Sequence, residues 1–258
     1  MRRVKHQRDT ILYSDAFLDT VQVKHALELN DYALVGVEYG AGWSQMLFNP
    51  TYNQTEQFNG GYYGVSFTKY GKLFGFMPYF GIQVGLFHGY EGYTMEENKE
   101  TGTIATIHGA TQVTYEVLEV PLMSQFHYDF DHFKLIGGVG PYAGWRMNIH
   151  REGNWVSEEL RDAFAPTDRQ LDYGLKGAAG FGIVFDPVEV HIKASVRYSW
   201  ATLYDPNYRS EYYYSYAYPL DIMVSAGVFI QLGKRSGKTR SMLKKEAHDI
   251  VYGISDAE

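Results

Sequence analysis

The sequence predicts an all-β fold, an eight-stranded antiparallel up-and-down transmembrane β-barrel, and three observations predict it. Strand-length segments alternate apolar and polar residues with a period of two. Glycines and ionised residues share one parity of those segments, and aromatic residues gather at the ends of the other. Composition sets the frame: 258 residues with 27 glycines, 23 tyrosines, no cysteine and a net charge of −7. Without cysteine there are no disulfide staples, thiolate nucleophiles or Cys-ligated zinc, and the acidic balance argues against nucleic acid as a partner. No apolar run approaches the roughly 18 residues of a membrane-spanning helix. On composition alone, a soluble β-sandwich or lipocalin-like barrel is equally open.

The first four strands are read over Val35–Trp43, Tyr63–Phe67, Phe80–Leu86 and Leu118–Tyr128. The fifth carries Phe133, Leu135, Gly137, Val139, Pro141, Ala143 and Trp145 on its apolar parity, against Lys134, Ile136, Gly138, Gly140, Tyr142, Gly144 and Arg146. The sixth runs from Tyr173 to Phe185, with Lys176 and Gly180 on its other parity. The seventh has the cleanest pattern. Val188, Val190, Ile192, Ala194, Val196, Tyr198 and Trp200 face one way; Glu189, His191, Lys193, Ser195, Arg197 and Ser199 face the other. The eighth alternates from Ile222 to Leu232.

Which parity points outward decides between a membrane and a water-soluble barrel. A soluble barrel turns its apolar face inward and its charge to water. Here the charged parity also holds Gly36, Gly40, Gly81, Gly85, Gly140, Gly180 and Gly182. A water-facing surface has no use for so much strand-weakening glycine. A narrow eight-stranded lumen does, because small residues make room for long ones. The apolar parity is therefore expected to face lipid. The expected lumen network is Glu38, Glu119, Lys134, Arg146, Lys176, Glu189, His191, Lys193 and Arg197. The expected aromatic girdle is Trp43, Trp145 and Trp200 at one rim and Phe133 and Phe185 at the other. Phe133 precedes Trp145 by twelve positions, which at about 3.3 Å per residue and a tilt near 40° spans roughly 30 Å, close to an outer-membrane apolar band.

Tight turns near Tyr70–Met77, Asp129–His132 and Asp186–Pro187 alternate with longer loops near Leu47–Gly60, Glu91–Gln112, Ile149–Gln170 and Tyr204–Tyr218. Short periplasmic turns and long extracellular loops are the expected outer-membrane arrangement, and an even strand count puts both termini in the periplasm. The chain then divides into a periplasmic extension (1–31, with an added strand around Thr20–His25), the barrel (32–232) and a basic periplasmic tail (233–258). In the tail, Leu243, Ala247, Ile250, Val251 and Ile254 fall at helical spacing. Residues 1–20 begin basic but lack the apolar core of a signal peptide. The expected location, a bacterial outer membrane, therefore implies an export signal already removed.

The runs Glu119-Val-Pro-Leu-Met, Gly137-Gly-Val-Gly-Pro-Tyr-Ala-Gly-Trp, Asp172-Tyr-Gly-Leu-Lys-Gly-Ala-Ala-Gly and Arg197-Tyr-Ser resemble the PorT-like outer-membrane β-barrel family of Bacteroidetes-type bacteria. The resemblance covers roughly 32–232. It implies the barrel fold and the outer membrane, and, through its name-giving branch, a link to type IX protein secretion. This chain departs from that branch in the strand-five region and in its basic C-terminal extension.

Candidate sites are few. The lumen charges fit a paired, filled interior better than a conduction path, because each buried charge must be paired to offset its desolvation. Tyr212, Tyr213, Tyr214 and Tyr216 in the last long loop form a possible partner surface, tyrosine being a broad, stiff contact residue; completing the girdle is the other use for them. His88, His108, His127, His132, His150 and His191 show no ligand spacing, so no metal or other cofactor is expected. Catalysis would have to use His88, His108, His150, Asp168 or Ser199 near the outer rim, and no spacing marks a pair. Gly233 to Gly237 encloses three residues where a phosphate loop needs four. The expected partners are outer-membrane lipid and other outer-membrane or periplasmic proteins. Two functions stay open: subunit or scaffold of an outer-membrane complex, with a link to export, or a stand-alone surface barrel for adhesion or ligand binding.

Overall fold

A computed structural model describes residues 32–73, 77–130, 132–205 and 216–233. Eight long strands follow one another: β1 (Ala33–Asn49), β3 (Gln57–Leu73), β4 (Met77–Met95), β7 (Gln112–Asp129), β8 (Phe133–Glu152), β9 (Leu171–Phe185), β10 (Val188–Ser199) and β11 (Tyr216–Leu232). Each pairs antiparallel with its sequence neighbour, β1 also pairs with β11, and the barrel closes as an up-and-down meander. Closure leaves no unpaired edge, the condition for strands to cross lipid. Short pieces decorate one end: β2 (Gln54–Thr55) on β4, the hairpin β5 (Glu97–Asn98) and β6 (Thr103–Ile104), and the one-turn helix α1 (Glu158–Arg161).

The β3–β4, β7–β8 and β9–β10 strand pairs are joined at one end of the barrel, and β1–β3, β4–β7, β8–β9 and β10–β11 at the other. The expected strands are all present, but most reach further than alternation indicated. β1 continues to Asn49, β4 to Met95 and β8 to Glu152, so the barrel wall extends into what reads as loop. Strands of 17 to 20 residues exceed the roughly 9–11 that cross a bilayer. The surplus stands above the membrane at the long-loop end. The expected strand at Thr20–His25, the helical tail and Tyr212–Tyr214 lie outside the described residues.

Polarity orientation follows the lipid-facing reading. Val139, at the centre of the β8 span, is 46 % exposed, whereas Lys134 and Arg146 on the same strand are fully buried. The crowding that glycine relieves is concrete. A Cβ at Gly36 would lie 2.4 Å from Phe229 Cδ1 and 2.5 Å from the Val228 carbonyl oxygen; one at Gly182 would lie 2.5 Å from His191 Cδ2. Gly137, on the outward parity, has nothing within 4 Å of that position. Gly36→Ala is therefore expected to cost roughly 1–3 kcal/mol as an overpacked site, read as a lower urea midpoint of the micelle-bound protein. Gly137→Ala should leave the midpoint unchanged or raise it.

Above the membrane the polarity of the two faces inverts, which alternation did not reveal. Beyond Trp145 an extra residue, Met147, enters β8 opposite the Glu116/Val117 step of β7. From there outward-facing positions are polar (Thr114, Glu116, Asn148, His150) and inward-facing ones apolar (Val113, Tyr115, Val117, Ile149). Met46, Phe48, Tyr93, Met95, Leu203 and Ala217 join the latter as one buried cluster. Loop residues Tyr52, Ile107, Val156, Phe164 and Tyr204 pack against it, and that burial pushes the Tyr204 phenol above its usual range. The outer third is thus built like a water-soluble barrel, apolar inside and polar outside.

Candidate functional site

The barrel interior below this cap is the largest assembly of ionisable groups among the described residues. Alternation places every second side chain of each strand in it, and all nine expected network residues are buried there. At the short-turn end, Lys134 Nζ donates to Glu189 Oε2 at 2.5 Å and also contacts the Tyr32 hydroxyl. Tyr32 donates to Glu189 Oε1 at 2.7 Å, and His191 Nε2 lies 2.8 Å from Oε2. Lys134 also stands over the Tyr32 and Tyr70 rings, 4.9 and 4.7 Å from their centroids. A relay of neutral groups leads upward: Tyr70 donates to Gln125, Gln125 to Gln83, Gln83 to Ser66 and Ser66 to Glu38. Glu38 accepts from Lys193 at 2.6 Å.

Higher up, Lys176 donates to Glu119 at 2.6 Å and to Tyr62 at 2.7 Å. Arg197 is the hub of the outer half. Its guanidinium reaches Asp221 Oδ2 at 2.7 Å, Glu119 Oε2 at 3.1 Å and Glu91 Oε2 at 2.5 Å. Arg146 completes the layer, donating to Glu91 Oε1 at 2.6 Å and lying 3.2 Å from Asp172 Oδ1. Five cations (Lys134, Arg146, Lys176, Lys193, Arg197) thus meet six carboxylates (Glu38, Glu91, Glu119, Asp172, Glu189, Asp221), all buried. The void beside Arg197, between Ser44, Asn59, Glu119 and Asp221, is about 10 Å³, room for one water.

Sequence reading missed Glu91, Asp172 and Asp221 from this network. Asp172 and Asp221 lie one step beyond the recognised alternation, two residues before Gly174 and Met223 on the same parity, so extending the pattern finds both. Glu91 read as loop because tyrosine and glycine surround it on both parities.

The expected girdle residues all face outward: Trp43, Trp145, Trp200, Phe133 and Phe185 are each at least 42 % exposed. Tyr216 is half-buried at the start of β11, its ring 5.1 Å from Tyr218. The residues weighed for catalysis are not brought together. Ser199 is buried and donates to Asp172, Asp168 is paired with Arg151 in the 153–170 loop, and His150 is on the outer wall beside Asp162.

The family model described as "Outer membrane protein beta-barrel domain" matches residues 22–203. Among solved structures, the Neisserial surface protein A is similar at 11 % identity over 77 % of this chain and 96 % of that one, TM-score 0.46. OprG from Pseudomonas aeruginosa is similar at 10 % identity over 80 % and 99 %, TM-score 0.48. Ail of Yersinia pestis, solved with the heparin analogue sucrose octasulfate, is similar at 9 % identity over 77 % and 99 %, TM-score 0.37. No curated protein matches the chain.

Proposed function

Because this chain belongs to the outer membrane protein beta-barrel domain family and resides in the outer membrane, we propose that it is a non-enzymatic scaffold, a subunit of an outer-membrane complex. The filled lumen carries this reading. Salt-bridged side chains occupy the axis through the membrane, and the Met46–Val117–Leu203 cluster closes the outer end. With about 10 Å³ open beside Arg197, the axis at that height leaves no room for a solute, and still less for a polypeptide. A role in type IX secretion, which the PorT-like resemblance implies, would accordingly place this barrel beside a conduit.

The 153–170 loop offers a contact surface. Trp155 is 82 % exposed, with Glu152, Glu158 and Glu159 close in sequence, and exposed tryptophans are frequent anchors of protein contacts. The same loop serves the second reading, a stand-alone surface barrel for adhesion or ligand binding. Gentle-detergent pull-down separates the two: a large outer-membrane partner retained by the native chain and lost with Trp155→Ala supports the scaffold, and isolation as a lone barrel supports the surface role. In planar bilayers the refolded protein is expected to give no stable single-channel steps. Large, reproducible currents would overturn the closed-lumen reading.

A further inference from the structure

The polarity inversion above Trp145 leaves a groove on the outer wall, of about 260 Å³, lined by Tyr90, Thr114, Glu116, Asn148, His150 and Asp162. Its floor is one cross-strand row: Glu116 on β7 pairs with Tyr90 on β4 and with Asn148 on β8. Both carboxylate oxygens of Glu116 are held, Oε1 2.6 Å from His88 Nε2 and Oε2 accepting from Asn148 Nδ2 at 2.5 Å. The far wall is His150, its Nδ1 2.5 Å from Asp162 Oδ1 where the 153–170 loop folds back after α1. Tyr90, 40 % exposed, forms the near wall with the His88 ring 5.2 Å away.

The register fixes the height of this groove. The adjacent row on the membrane side is His88, Leu118 and Trp145, the girdle level at which apolar band meets head groups. The groove therefore opens laterally into the outer leaflet's head-group layer. Its chemistry narrows the occupant. An acyl chain does not match two carboxylates, an imidazole and an amide, and a phosphate would face Glu116 and Asp162 together. Among the described residues no three His, Asp or Glu side chains are placed to hold a metal ion, so it is not a cation cage. An aromatic face beside fixed acceptors suits a sugar ring with hydroxyl or ammonium groups, and the volume lies just below the roughly 300–1,000 Å³ of drug-sized sites.

We propose that the Tyr90–Glu116–Asn148–His150 groove holds the amino-sugar head group of an outer-leaflet glycolipid. The ring lies along Tyr90, and its ammonium or hydroxyl groups donate to Glu116 and Asp162. This rests on the membrane placement of the barrel and is independent of whether the lumen conducts.

The test uses the full chain in nanodiscs of phosphatidylethanolamine with or without a glucosamine-headed glycolipid, and native mass spectrometry of lipid retained after release into mild detergent. The native chain is expected to retain the glycolipid over phosphatidylethanolamine. Glu116→Gln, on the outer surface and outside the lumen network, should lower that retention about tenfold, the scale of one charge-assisted hydrogen bond. Tyr90→Ala should lower it too, and Ile222→Ala, on the lipid face of another strand, should not. Free glucosamine is expected to shift no bound lipid at concentrations matching the glycolipid. No preference by the native chain, equal retention by Glu116→Gln, or full displacement by free glucosamine would each overturn the proposal.

Discussion

Replacing Arg197 with methionine is expected to lower the unfolding free energy by roughly 3–5 kcal/mol, the usual cost of removing one partner from a buried ion pair. The size follows from what is left behind. Arg197 is 4 % exposed and bonds three carboxylates, Asp221, Glu91 and Glu119. Without it, among the described residues, Asp221 has no ion-pair partner, and Glu91 and Glu119 keep Arg146 and Lys176 alone. The micelle-bound variant should unfold at clearly lower urea, or fail to refold. The pair Arg169–Asp205, 2.5 Å apart with side chains 43 % and 58 % exposed, is the control: Arg169→Ala should change stability by less than about 1 kcal/mol. Replacing Arg197 and Asp221 together by Met and Leu should recover part of the loss, because the orphaned charge goes with its partner. If Arg197→Met matched Arg169→Ala, the lumen would not be the dry network described.

Val139→Arg is the second large effect. Val139 lies midway between Phe133 and Trp145 on the outward parity of β8 and is 46 % exposed. On a water-soluble barrel, a charge at such a position would be close to neutral. At the midplane of an outer-membrane barrel it costs about 2–4 kcal/mol. The substitution should therefore lower stability in lipid vesicles, and the same change at Asn148, in the polar outer section of that strand, should not. Equal tolerance at both positions would remove the lipid from the face where Val139 sits.

Inside the membrane span, strand positions and the direction of their side chains were legible because two solvents select opposite residue types. Acyl chains select Val, Leu and Phe at Val196, Leu135 and Phe181, and the lumen selects Lys, Glu, Arg and Gly between them. Period-two alternation then reports both partners at once. The signal fails where both parities carry similar residues. In Val113–Leu118 and Met46–Phe48 the inward side is apolar and the outward side mixed, so alternation weakens and the cap reads as loop. The polar groove failed for a related reason. Glu116 and His88 follow the lipid-facing parity of their strands, and only the cross-strand register, with the extra residue at Met147, shows that this height has left the apolar band. Network membership was partly legible: nine polar residues followed from parity alone, whereas Tyr32, Tyr62 and Tyr70, which bond Glu189, Lys176 and Gln125, look like any aromatic of a girdle until their direction is known.

The chain has no cysteine, so single cysteines can report each parity without interference. Spin labels at Ser195→Cys and Val196→Cys, neighbours on β10 at 8 % and 46 % exposure, test the orientation most directly by collision with oxygen and with a water-soluble nickel reagent in liposomes. The structure requires the label at 196 to collide with oxygen and not with nickel, and the label at 195 to be shielded from both. A label at 196 that meets nickel freely while the one at 195 meets oxygen would reverse the barrel's polarity and contradict the account.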